Sequence, residues 1–157
     1  MIPVTQERLL EELKKLGLES EVQKETNQIF HVFKLEKREF PLFIRILHEG
    51  ELLQFLTFIP VQVKKTHFAD VGRLLHMLNK ELDMPGFCLD ESSSTVFYRI
   101  LFPTHKKEIA KEILEAVLNT TQVVCKTFSP AVEAVASGAM NLEDMLKKAE
   151  EAVNQKK

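Results

Sequence analysis

Residues 41–59 read PLFIRILHEGELLQFLTFI. Two apolar runs flank the pair Glu49-Gly50, a two-residue turn signal between strands. A hairpin closed there fixes its own register: Leu47 faces Leu52, Arg45 faces Gln54, Phe43 faces Leu56 and Pro41 faces Phe58. Leu42, Ile44, Ile46, Leu53, Phe55 and Thr57 then share the other side, a core face. The two polar mid-strand residues, Arg45 and Gln54, fall together, as a correct register requires. Their side should therefore look outward, yet it also carries Phe43, Leu47, Leu52, Leu56 and Phe58. A sheet with one solvated face alternates cleanly between apolar and polar. This one does not.

Strand-like sequence extends upstream to about Glu21, broken at Glu25-Thr26-Asn27 and at Glu36-Lys37-Arg38-Glu39. Before it, Thr5 caps a helix that carries Leu9, Leu10, Leu13 and Leu16 on one face and stops at Gly17. Downstream, Phe68, Val71, Leu75, Leu78 and Leu82 have helical spacing, with Thr66 as cap and Pro85-Gly86 as break. Strands follow at Phe87–Asp90 and Thr95–Phe102, joined by Glu91-Ser92-Ser93-Ser94. Pro103-Thr104 then leads into a long helix bearing Ile109, Ile113, Val117 and Val124. Ser129-Pro130 restarts a short helix that Gly138 ends. Asn141 with Asp144 resembles a capping box for a last charged helix to about Asn154, and the tail Gln155-Lys156-Lys157 frays.

The order predicts an α+β fold of α-β-β-β-α-β-β-α type, an antiparallel sheet packed with helices and extended by further C-terminal helices. One domain spans 1–157, with about 141–157 as a helical extension. Phe30, Val32 and Lys34, and Phe97, Arg99 and Leu101, turn outward beside the hairpin's outer face. Burying one such apolar side chain fully is worth about 1.5–3 kcal/mol, so the face should not stay bare. Two coverings would resolve it: a C-terminal helix of the same chain, or a second subunit or client segment.

Bulk composition narrows the function. With 21 basic and 23 acidic side chains and a net charge of −2, the chain has no basic stripe for nucleic acid; its basic runs are pairs. No apolar run is long enough for a membrane span, and the first residues lack a secretory pattern, so a cytoplasmic protein is expected. Cys88 and Cys125 match no metal or redox spacing and read as free thiols. His31, His48, His67, His76 and His105 show no metal-ligand spacing; His67 and His105 open helices, and His48 borders a turn. Only five glycines are present and none forms a phosphate-cradling loop. No catalytic residues, metal or cofactor are expected.

From Leu78 to Gly138 the chain resembles the bacterial YbjN family, whose members share a fold with the class I chaperones of type III secretion. The likeness rests on Leu78-Asn79-Lys80-Glu81-Leu82 closing a helix, on Phe87 and Asp90, and on Val96-Phe97-Tyr98-Arg99-Ile100 with Pro103. It ends with Ala131-Val132-Glu133-Ala134-Val135-Ala136-Ser137-Gly138. The chain departs from the secretion chaperones in being less acidic and in its helix after Asn141. The resemblance implies a helix–sheet sandwich that dimerises and holds partly unfolded partner segments without hydrolysing nucleotide.

The expected function is thus non-enzymatic: a chaperone-like module that holds a client or effector segment, or else a regulatory adaptor that binds a folded partner or small ligand. The expected contacts are Phe43, Arg45, Leu47, Leu52 and Leu56, with Leu9 and Leu13 on the first helix. Phe97, Arg99 and Leu101 are the expected homodimer interface, with the helix near Phe68–Leu82 as another.

Overall fold

The computed structural model describes residues 1–155; the side chains of Ala149 and of residues 152–155 are outside the described set. The last part of the expected frayed tail, Lys156-Lys157, lies outside the described residues. The elements run β1 (Ile2–Pro3), α1 (Gln6–Lys15), β2 (Glu21–Gln23), β3 (Gln28–Leu35), β4 (Arg38–Leu47), β5 (Leu52–Ile59), α2 (Phe68–Glu81), β6 (Phe87–Asp90), β7 (Thr95–Pro103), β8 (Glu108–Ile109), α3 (Lys111–Ser137) and α4 (Leu142–Gln155). The fold is α+β, as expected.

Six strands form one antiparallel sheet in the order β2-β3-β4-β5-β7-β6, and β1 pairs with β8 in a second, two-stranded sheet. The central hairpin has the expected register: Leu47 opposes Leu52, Arg45 opposes Gln54, and Phe43 opposes Leu56. At its tip Glu49 and Gly50 both have positive φ, and the Glu51 N–H closes the turn onto the His48 carbonyl at 3.1 Å.

Phe33, Phe40, Leu42, Ile44, Leu53, Phe55, Tyr98 and Ile100 project from one side of the sheet and are buried. They pack with Leu9 and Leu13 of α1, Val71, Leu74 and Leu75 of α2, and Leu114, Val117, Leu118, Val124 and Val132 of α3 in one core. α3 touches β3, β5 and β7, while α4 packs on α2 and α3. The Thr5 hydroxyl accepts from the Arg8 N–H at the start of α1, and Asn141 Oδ1 accepts from the Asp144 N–H at the start of α4.

Four local expectations are corrected. Ser129-Pro130 does not restart a helix, because α3 continues through Pro130 to Ser137. Pro130 removes the N–H that would reach Lys126, but both residues are exposed, so water can serve that carbonyl. The buried Cys125, Ser129, Val132 and Ala136 meanwhile hold one uninterrupted face on the core. Ile109 belongs not to the long helix but to β8, opposite Ile2. His105 likewise opens no helix: Lys106 and Lys107, at φ 51° and 61°, turn the chain back so that His105 and Glu108 exchange backbone bonds. Ile113 lies on the long helix as expected but is 50% exposed. Finally, α2 is entered through a short 3-10 turn at Lys65–His67 and has no side-chain cap, so Thr66 does not fill that role.

Candidate protein-binding face

Every described helix in the core lies on the Ile44 side of the sheet, leaving the other side without a helical cover among the described residues. Two rows of side chains cross that outer side. One runs Phe30, Phe43, Leu56, Arg99 over β3, β4, β5 and β7; the next carries Phe58 and Phe97 over β5 and β7, then Cys88 on β6. Phe30 and Phe43 have ring centroids 5.1 Å apart, Phe43 and Phe58 5.9 Å, and Phe58 and Phe97 6.2 Å, making one aromatic chain across four strands. Leu47, Leu52 and Leu56 are half-buried beside it, and Leu101 is 47% exposed.

The register gathers Phe43, Arg45, Leu47, Leu52 and Leu56 with Phe97, Arg99 and Leu101 on this single face, so the residues expected to contact a partner and those expected at a homodimer interface are neighbours on one surface. Leu9 and Leu13 are not part of it. They are 1% and 0% exposed, because the apolar stripe of α1 faces the core, and they offer nothing to a partner. The sequence reading left Phe30 and Phe58 outside the site although its own alternation turned both outward.

The two edges of the sheet differ. β6 is guarded by Asn79 of α2, whose Oδ1 accepts from the Phe87 N–H at 2.9 Å and the Gly86 N–H at 3.1 Å, while its Nδ2 donates to the Phe87 carbonyl at 2.9 Å. At the other edge β2 pairs with Gln28–Phe30, so among the described residues β3 has no strand neighbour there from His31 to Leu35. A cleft of about 780 Å³ opens between residues 17–21 and 30–35, with Gln122 of α3 on its wall. His31 Nδ1 and the Glu19 carbonyl, 2.7 Å apart, bridge it.

The titratable groups of the interior suit packing. Burial pushes the Cys125 thiol up to about 12, and burial, with Cys125 nearby, raises Tyr98 to about 12. Tyr98 keeps its proton and donates it to the Met84 carbonyl at 2.6 Å. At the outer edge of β6, hydrogen bonds from Ser92 and Ser93 lower the Asp90 carboxyl below its ordinary 3.8. Among the described residues, no three His, Cys, Asp or Glu side chains gather where they could hold a metal ion. No helix there is long and apolar enough to cross a membrane.

The model of the YbjN family, described as "putative bacterial sensory transduction regulator", matches residues 5–134. This chain belongs to the YbjN family. The match spans the whole six-stranded sheet and most of α3, leaving α4 beyond it. Among solved structures, the chain is similar to YbjN from E. coli, described as "a putative transcription regulator", with a TM-score of 0.64 at 9% identity. The superposition covers 88% of this chain and 96% of that one, and establishes the shared fold. No curated protein matches the sequence.

Proposed function

We propose that this YbjN-family chain is a non-enzymatic protein-binding module of the cytoplasm that holds a partner segment against the outer face of its sheet, in the manner of a type III secretion chaperone. One observation carries the reading: a continuous surface of Phe30, Phe43, Phe58 and Phe97 with flanking leucines, which no described helix covers. Phe43, Leu47, Leu52 and Leu56 supply apolar contact, and Arg45 orients the bound segment. Phe97, Arg99 and Leu101 extend the same contact over β7.

The family description supports a second reading, a regulatory adaptor that uses this face to bind a folded partner. Co-purification with wild-type protein and Leu56→Asp tests both. A chaperone-like holder retains protease-sensitive, unstructured fragments that Leu56→Asp loses. An adaptor retains a protease-resistant folded protein, also lost on substitution. Equal retention by both proteins would reject the face as the binding site.

A further inference from the structure

We infer that the segment held on the outer face comes from another protein and is acidic, setting carboxylates among apolar anchors. This rests on the protein-binding reading above and adds the chemistry of the partner. Arg45 on β4 and Arg99 on β7 are both exposed and stand diagonally across Gln54 and Leu56 of the intervening β5, at the middle of the six-stranded sheet. Neither makes an ion pair or a side-chain hydrogen bond among the described residues. The Arg99 guanidinium instead lies over the Phe97 ring, 5.6 Å from its centroid, which keeps the charge on the apolar surface.

Covering this surface desolvates both cations. A cover without anions would strand them, which is strongly unfavourable. The chain's own outward-facing acids do not serve: Glu21 is on the edge strand β2, Glu39 opposes Lys34 next to the β3–β4 turn, and Asp90 is held by Ser92 and Ser93 on β6. A second copy seated on the middle of the face about a two-fold axis would bring these arginines towards their own counterparts while its acids stayed at the rim. A broad anionic surface would press on those same rim acids. A narrow acidic segment meets the two cations and avoids the rim.

With strands about 4.8 Å apart and about 3.4 Å of rise per residue, the Arg45 and Arg99 Cα atoms are about 12 Å apart. Carboxylates about four residues apart in an extended segment span that distance.

The test uses short fluorescent peptides in which alternate residues, those that share one face of an extended segment, are apolar except for two placed four residues apart; these two are both Glu, both Gln or both Lys, giving the all-Glu, all-Gln and all-Lys peptides. The all-Glu peptide is expected to bind wild-type protein at least about tenfold more tightly than the all-Gln one, an advantage that salt erodes. Arg45→Glu with Arg99→Glu should reverse the order in favour of the all-Lys peptide while leaving the thermal melt unchanged. Arg45→Gln with Arg99→Gln should level it. Equal binding of all three peptides, lost on Leu56→Asp, would overturn the acidic preference and leave the binding face standing. No peptide binding at all would overturn both. A dimer in light scattering that Leu56→Asp dissolves would assign the face to a second copy. Binding of phosphatidylglycerol vesicles without the all-Glu peptide would assign it to an anionic membrane. Either result rejects the inference.

Discussion

Asn79 pairs with Phe87 as a neighbouring strand would: its side-chain amide accepts from the Phe87 N–H and donates to the Phe87 carbonyl, both at 2.9 Å. The pairing satisfies the outward backbone groups of Phe87 on an edge strand and obstructs strand addition at that position.

Asn79→Ala leaves these half-buried backbone groups unpartnered and should cost about 1–3 kcal/mol, read from the urea midpoint. Asn79→Asp keeps the acceptor, loses the donor, and should fall between wild type and alanine. The alanine variant should also self-associate more in light scattering, because the freed edge can pair. An unchanged midpoint would mean that water replaces the bracket at no cost.

The two faces of the central hairpin should respond oppositely to charge. Ile44 is 2% exposed, and Ile44→Asp places a carboxylate in the core with no partner, so the protein should lose its cooperative melt. Leu56, half-buried on the outer face, has water within reach. Leu56→Asp should stay folded, with a melt within a few degrees of wild type by circular dichroism. Unfolding of both variants would show that the outer face is covered within the monomer.

This difference between faces was legible in the sequence because strand alternation has a period of two and one short turn sets the pairing. The Asn79 bracket was not. It joins a helix to a strand through one amide side chain, and no periodicity marks such a contact. Lys106-Lys107 was missed because left-handed turns are recognised by Gly and Asn, which it lacks. Pro130 misled for the opposite reason: a sound local rule was overridden by the core contacts of Val132 and Ala136. Leu9 and Leu13 carry the apolar stripe expected of a core helix and of a docking helix alike. Only the packing separates the two.

Gly138 ends α3 at φ 80°, and a Cβ there would stand 2.6 Å from His67 Nε2. Gly138→Ala therefore meets two penalties, the left-handed backbone, worth about 1–2 kcal/mol, and a clash with the turn that precedes α2. Adding His67→Ala should recover the clash and leave the backbone term, giving a non-additive double-mutant cycle in urea unfolding. Strict additivity would mean that the imidazole simply moves aside.

Alkaline stability should be governed in part by Tyr98 and Cys125. Their ordinary values are 10.0 and 9.0, and burial raises both to about 12 in the folded protein. Between those limits the unfolded chain has released these protons and the folded chain still holds them. The unfolded state therefore binds fewer protons, and stability falls as pH rises. The contribution is fully present below about pH 9, begins to fade as the unfolded thiol ionises, and is gone once pH passes about 12. Tyr98 is the only tyrosine in the chain, so tyrosinate absorbance reports on it alone. That absorbance should appear near pH 12 in the folded protein and near pH 10 in concentrated urea. Tyr98→Phe should flatten the decline in urea-measured stability above pH 10, while costing about 1–3 kcal/mol at neutral pH because the Met84 carbonyl loses its donor. Tyrosinate forming near pH 10 without unfolding would mean that the hydroxyl is open to solvent and that the bond to Met84 is not kept.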